Sequence, residues 1–447
     1  WLIILLTNVF LVFVIYLAFS KHKSLILGGP DAKPEFSRVN WIAMLFSAGL
    51  GVGLLFYGVA EPIMHLSSDV IHKDGASFSD KANLSMNLAY LHWGFHGWAI
   101  YGVVGICFAY FAYNNKLPFR VSSFFSGPLT RNIWGRVSLD VLAIIATIFG
   151  IATSLGLGAN QINSGLSYMG VIEGSFINTV GIIILITLMG LASVVLGLKV
   201  GIKILSQINI VLCIIFLSFI FITGPTSYIL DGLVQNLGSY VQKLLSLSTN
   251  TQGYSDSSWQ NAWTLYYYSW WFAWSPFVGL FIARISYGRS IQEFLIGAVL
   301  VPTFIVFIWM GVFGNAAIYQ EFMEPSSLSA AINNDIAVSL FIFLEQFPFS
   351  QAIMWLAIII ILTFFVTSSD SGALVTSMLT AAKKENFKDE PPMILRIIWA
   401  LSLGIISVVL LAGGGIGALQ TSVIVTGVPF AILVSFAARS LLKDLNK

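Results

Sequence analysis

The densest run of aromatic residues is YYYSWWFAWSP, Tyr266 to Pro276, with three tyrosines and three tryptophans inside nine positions. Electron-rich ring faces attract a cation, each contributing about 0.5–2 kcal/mol once desolvated. A quaternary ammonium has no N–H to donate, so ring faces are nearly its only good partner. Several rings together therefore suit a methylated ammonium that a bare carboxylate pocket would hold poorly. Trp263, Tyr267, Trp270 and Trp274 fall at i, i+4, i+7 and i+11, one helical stripe, with Trp271 to one side. A second cluster, LAYLHWGFHGWAIYG, places Trp93, Trp98 and Tyr101 on one broad face. Tyrosine and tryptophan also form belts at membrane interfaces. That reading suits Trp263, Tyr266 and Tyr267, whereas Trp270, Trp271 and Trp274 lie deeper, beside Ser275–Pro276.

A second chemistry-bearing stretch is FFVTSSDSG, in which Thr367, Ser368 and Ser369 precede Asp370. Consecutive hydroxyls can supply oxygens to a small cation, although Ser and Thr in helices also bond back to the preceding turn. An aspartate in lipid is costly unless paired, so Asp370 is expected to orient the hydroxyls rather than touch a solute. His92 and His96 flank Trp93 and read as packing or gating residues, since no acidic residue follows at ligand spacing.

These residues sit in a chain made for a membrane. Hydrophobic residues make up 57% of 447, charged residues 9%, and mean hydropathy is +0.87; a soluble domain carries roughly a quarter charged residues. Apolar runs of about 20 residues, each enough to cross a bilayer, recur along the whole chain. They define eleven expected spans, at 1–20, 41–62, 84–113, 137–170, 175–197, 204–223, 258–284, 290–320, 351–382, 394–412 and 418–442. A segment at 229–248 is amphipathic and expected to lie on the surface. Cys107 and Cys213 fall inside spans and read as packing residues. The chain opens at Trp1 within an apolar run, so an N-terminal portion is expected to precede it.

Loop charges set the orientation. With Lys21–Lys23 cytoplasmic and the spans alternating, 19 of the 22 basic residues fall on the cytoplasmic side. Only Lys73, Lys81 and Lys243 lie outside, together with Glu61, Asp69, Asp74, Asp80, Glu321, Glu324, Asp335 and Glu345. The net charge of +2 hides this bias, and nothing points to nucleic acid.

Two spans look interrupted. The second contains FSAGLGVGLLFYGVAEP, with Gly49, Gly51 and Gly53 alternating at mid-membrane; the seventh is the aromatic one, with a break expected at Ser275–Pro276 and Gly279 beyond. A broken helix in lipid leaves backbone groups that must line a cavity or bind something. Interrupted helices at matching positions of two five-span halves point to an inverted-repeat transporter with a midplane site. Close helix packing at Gly-x-Gly and simple proline kinks are the alternatives.

At this point the chain resembles a known family. WWFAWSPFVGLFIARISYGRS, FSAGLGVGLLFYGVAEP, HWGFHGWAIYG, IFGIATSLGLGANQI and FFVTSSDSGAL are similar to successive signatures of the betaine/choline/carnitine transporters, over residues 1 to 442. The resemblance implies an all-α polytopic membrane protein with the leucine-transporter-like (LeuT-like) 5+5 inverted-repeat fold and one extra N-terminal span. The expected organisation is 1–40 as a peripheral span and cytoplasmic loop, 41–223 as the first repeat, 224–257 as the external surface helix, 258–442 as the second repeat and 443–447 as a tail. It also implies a bacterial cytoplasmic (inner) membrane and a homotrimer with the surface helix at the subunit contact.

Carried over by position, the resemblance implies a substrate box of Trp93, Trp98, Tyr101, Trp270, Trp271 and Trp274, with the Gly49, Gly51 and Gly53 backbone facing a substrate carboxylate. Tyr268 stands where many members carry another tryptophan, and Glu61–Pro62 belong to a structural GxxEP element. Sodium-coupled members imply an ion site at Thr367 and Ser368 with the carbonyls of Phe364, Ala48 and Leu50; Thr153, Ser154 and the Phe277 carbonyl are candidates for a second. Choline-carrying relatives have an aspartate at the place of Gly53, and carnitine exchangers replace the SPFVG that is intact at Ser275–Gly279. The implied function is sodium symport of a zwitterionic quaternary-ammonium compatible solute, foremost glycine betaine, with no cofactor beyond Na+. Ectoine, proline and sulfonium analogues stay open, as do proton-coupled choline uptake and carnitine-type exchange. A channel would want a continuous polar lining, and an enzyme a catalytic set; the spans show neither.

Overall fold

The computed structural model describes residues 1–49, 53–196, 201–381 and 391–447. Among them every regular element is a helix, with one isolated antiparallel bridge between Ile26 and Ser290. Bilayer physics requires this, because a spanning segment must satisfy its own backbone where no water can.

Helix α1, Leu2–Phe19, is the extra N-terminal span. Five spans follow it. The first is split into α2, Arg38–Gly49, and α3, Gly53–Leu66. The second is α4, Phe78–Trp93, and α5, Phe95–Ala109. Then come α6, Ile133–Tyr168, α7, Phe176–Leu196, and α8, Gly201–Thr223. Helix α9, Thr226–Ser248, is bent by 110° from the helix before it, as the amphipathic pattern of the segment demands. It buries Ile229, Asn236 and Tyr240 and leaves Leu230, Val234, Leu237, Val241 and Leu245 exposed as one stripe. The second set comprises α10, Tyr266–Ile285, α11, Ile291–Met323, α12, Ser350–Thr380, and α13, Met393–Leu445. At 53 residues α13 is about 80 Å of helix, two bilayer crossings. It turns at Gly414 and Gly415, where Gly415 takes φ 59°, in the gap expected between the last two spans. Among the described residues, seven helical stretches are long and apolar enough to cross a membrane, α4 and α5 counting together as one.

The interruption expected at Gly49–Gly53 coincides with the end of α2 and the start of α3; Leu50 and Gly51 lie outside the described residues. The break expected at Ser275–Pro276 does not occur, and α10 runs through Pro276. Pro276 has no N–H to give Phe272, and the Ser275 hydroxyl donates to that Phe272 carbonyl at 2.7 Å instead. The helical irregularities lie elsewhere. A π-turn occupies Asn261–Leu265, and the second span breaks at Gly94, with ψ −140°, between α4 and α5. A β-carbon on Gly94 would lie 2.8 Å from the Phe307 ring, so only glycine lets the chain turn against α11 there. Tyr266 and Tyr267 are not an interface belt either: both are buried in the core, and Trp263 packs edge-on to His65 at 4.5 Å.

Candidate functional site

Five helices meet at one cavity. Gly53 of α3, Trp93 of α4, Tyr101 of α5, Ser154 of α6, and Trp270, Trp271 and Trp274 of α10 line it. No charged side chain is among them. The break at Gly94 lets consecutive helices deliver both Trp93 and Tyr101 to one space. Trp93 meets Trp270 at 6.3 Å and Trp271 at 6.1 Å, both near perpendicular, and Tyr101 meets Trp271 at 4.7 Å. Edge-to-face packing of this kind is favourable in itself. Glycines make the room: a β-carbon on Gly97 would run into the Trp271 indole, and one on Gly150 would lie on Trp274.

Trp98 stands one layer back. It is fully buried and packs edge-to-face on Trp271 and on Tyr101, each at 5.6 Å, so it sets their tilt without lining the cavity. The ring N–H groups divide into two kinds. Trp93 Nε1 donates to Glu61 Oε2 at 2.7 Å and Trp271 Nε1 to the His92 carbonyl at 2.9 Å. Trp98, Trp270 and Trp274 keep buried Nε1 donors without a partner among the described residues. Tyr268 is buried between His92 and His96, at 6.5 and 6.1 Å, rather than at the cavity.

Behind the cavity lies a polar cluster that the sequence reading missed. Glu61, His65 and His92 are all fully buried and bonded together, with Nε2 of His65 at 3.2 Å and Nδ1 of His92 at 2.7 Å from Glu61 Oε1. The histidine that lacked an acidic partner along the chain has one across it. The i, i+4 pairing of Glu61 and His65 within AEPIMH was the legible half of that signal. His96 instead reaches Asn8 of α1 at 3.2 Å, a packing contact.

The oxygen-rich stretch lies on α12. Thr367 Oγ1 donates back to the Thr363 carbonyl at 2.9 Å and accepts from Asn209 Nδ2 at 3.2 Å. Phe364 is buried one turn earlier, Ser368 is half-buried, and Asp370 accepts from the Ser193 hydroxyl of α7. Ala48 lies in the last turn of α2, and Leu50 is outside the described residues. Asn209 and Ser193 gave no sequence signal, being single polar residues within apolar runs. Thr153 Oγ1 turns toward α13, donating to the Leu419 carbonyl at 3.0 Å. Ser154 bonds back to Gly150 at 3.3 Å while lining the cavity, and Phe277 is buried beside Trp274 at 5.4 Å.

Comparison with known proteins identifies the family and the fold. The family profile described as "BCCT, betaine/carnitine/choline family transporter" matches residues 1–447. A glycine betaine transporter of Acinetobacter baylyi is 40% identical over 100% of this chain and 67% of its own length. A glycine betaine/proline/choline/ectoine transporter of Vibrio parahaemolyticus is 40% identical over 98% of this chain and 78% of its own. Among solved structures, a Na+-coupled sialic acid symporter in a substrate-bound outward-open state superposes with a TM-score of 0.56 at 16% identity, covering 97% of this chain and 85% of that one. That likeness establishes the inverted-repeat fold. The chain belongs to the betaine/carnitine/choline transporter family, whose members are transporters and not enzymes.

Proposed function

We infer that the protein imports a zwitterionic quaternary-ammonium solute, glycine betaine foremost, by sodium symport with alternating access. The observation that carries this reading is a cavity walled, among the described residues, by five aromatic rings and no charged side chain. Ring faces attract the trimethylammonium end, and the lack of an anionic side chain suits a solute that brings its own carboxylate. For that carboxylate the unpartnered N–H groups of Trp270 and Trp274 are available donors, and the backbone between Gly49 and Gly53, whose residues 50–52 lie outside the described ones, is the further donor we propose. The relatives named for glycine betaine support the same solute class.

Sodium is supported by residues of α12: the Phe364 carbonyl, the Thr367 hydroxyl that Asn209 steadies, and Ser368. The carbonyls of Ala48 and Leu50 would complete the set, with Thr153, Ser154 and Phe277 as the second-ion candidates. A homotrimer in a bacterial inner membrane is part of the same proposal, and the exposed apolar stripe of α9 supplies the contact surface. Choline is the second reading, favoured by the Vibrio parahaemolyticus relative whose name includes it.

Uptake of labelled betaine, choline, proline and ectoine into proteoliposomes, with sodium or potassium outside, tests the solute and the coupling ion. Sodium-dependent betaine uptake is expected. Equal uptake in potassium would replace sodium symport with proton coupling or exchange.

A further inference from the structure

Glu61 is fully buried in a membrane helix. A carboxylate there is costly unless its lone pairs all meet donors. Four donors from three helices converge on it. Oε1 takes Nε2 of His65 at 3.2 Å and Nδ1 of His92 at 2.7 Å. Oε2 takes Nε1 of Trp93 at 2.7 Å and the Tyr267 hydroxyl at 2.7 Å. The far nitrogen of His92 faces Thr264 Oγ1 at 2.9 Å, and the His92 ring stacks on Tyr267 at 4.9 Å. One oxygen thus serves the histidines and the other serves the aromatic wall.

A transition metal would draw on the same groups, since ligand atoms of Glu61, His65 and His92 lie within 4.8 Å of one another. Both carboxylate oxygens are already engaged, however, and so are both nitrogens of His92. Of the nitrogens and oxygens in the cluster only His65 Nδ1 has no partner among the described residues.

Trp93 is the donor that matters to the cavity, because it alone of the four lines it. An indole nitrogen can only donate, so Oε2 fixes how the ring is turned, while the ring's other edge lies over Gly53. Turning the ring leaves its buried N–H unpaired, while Oε2 keeps Tyr267. We propose that Glu61 is a positioning residue, holding Trp93 through Oε2 so that the indole face meets the ammonium of the substrate. The ligand in this statement rests on the betaine reading; the positioning does not.

The role asks for an acceptor, not a charge. Glutamine can keep its carbonyl on Trp93 and Tyr267 and turn its amide toward the histidines. Those histidines can accept in their other tautomers, His92 then donating to Thr264. Leucine leaves the Trp93 N–H with nothing.

Ultraviolet resonance Raman spectra of purified, solute-free protein isolate Trp93 by subtracting Trp93→Phe. The indole should read as strongly hydrogen-bonded in wild type and Glu61→Gln and as weakly bonded in Glu61→Leu. In betaine titrations followed by tryptophan fluorescence, Glu61→Leu should raise Kd by about tenfold, the order expected for one lost bond to a charged acceptor. Glu61→Gln should stay near wild type, and adding Trp93→Phe to Glu61→Leu should cost little more than either alone. Where Glu61→Leu does not fold, Trp93→Phe carries the test, since it removes the N–H and keeps a ring; an unchanged Kd there overturns the proposal. So do full affinity in Glu61→Leu, additive losses in the pair, or a glutamine variant as damaged as leucine. A wild type that binds no betaine defeats the substrate reading instead, and the Raman comparison still decides the positioning.

Discussion

The six-membered edge of the Trp93 indole occupies the space that a side chain on Gly53 would need. Position 53 is therefore under steric as well as electrostatic control. Gly53→Ala should weaken betaine binding by roughly 1–3 kcal/mol through overpacking alone. Gly53→Asp adds a charge facing the substrate carboxylate; at an effective dielectric of about 20, two unit charges 4 Å apart repel by roughly 4 kcal/mol. Competitive uptake of labelled betaine and choline separates the two effects. Both variants should lose betaine uptake, and only the aspartate should raise the choline-to-betaine ratio. Strong choline transport by the wild type would refute the zwitterion assignment.

The rings of α10 should carry affinity one by one. Trp270→Leu and Trp274→Leu each remove a cavity wall and an unpartnered N–H. Each is expected to weaken betaine binding by roughly 1–3 kcal/mol, combining cation–π and contact losses. Trp98→Leu acts only through the tilt of Trp271 and Tyr101 and should cost less. Fluorescence titration of the three variants gives the order, and equal losses in all would contradict the layered arrangement.

Coupling should separate from solute recognition. Replacing Thr367 and Ser368 by alanine leaves every cavity-lining residue in place. The sodium concentration for half-maximal uptake should rise steeply, while betaine affinity in the absence of sodium is retained. By linkage, the ion's effect on the solute and the solute's effect on the ion shrink by one common factor. Asn209→Ala, which only loses the bond to Thr367, should shift sodium dependence in the same direction and by less.

Helix α10 stays intact because one hydroxyl replaces the missing amide at Pro276. Ser275→Ala strands the Phe272 carbonyl in the core and should cost about 1–3 kcal/mol of stability. Ser275→Ala with Pro276→Ala restores a backbone donor and should recover part of that loss. Thermal unfolding in detergent reads both, and a single variant as stable as wild type would show the bond to be dispensable.

Much of this architecture could be read from residue order, for identifiable reasons. Apolar length finds spans, and amphipathic spacing found the bent helix α9. The Trp93, Tyr101, Trp270, Trp271 and Trp274 set was legible because tryptophans away from an interface are conspicuous. Local rules failed where a partner came from afar. Ser275 rescues a proline that looked like a break, Gly94 makes a break where no proline stands, and Tyr266 and Tyr267 are core because neighbouring helices cover them. Glu61 was legible as an acid in a helix, but three of its four donors come from α4 and α10, which no window along the chain contains.

That last arrangement bears on how the protein is made. The first-half segments of a membrane protein enter the bilayer while the rest is still being synthesised. His65, His92 and Trp93 arrive early, but Tyr267 is 206 residues beyond the Glu61 it must donate to. Thr264, which closes the far side of His92, is equally late. During biogenesis the first half therefore holds an incompletely satisfied carboxylate in an apolar setting, and only arrival of the second half completes it. A truncated chain ending before α10 would lack that fourth donor permanently.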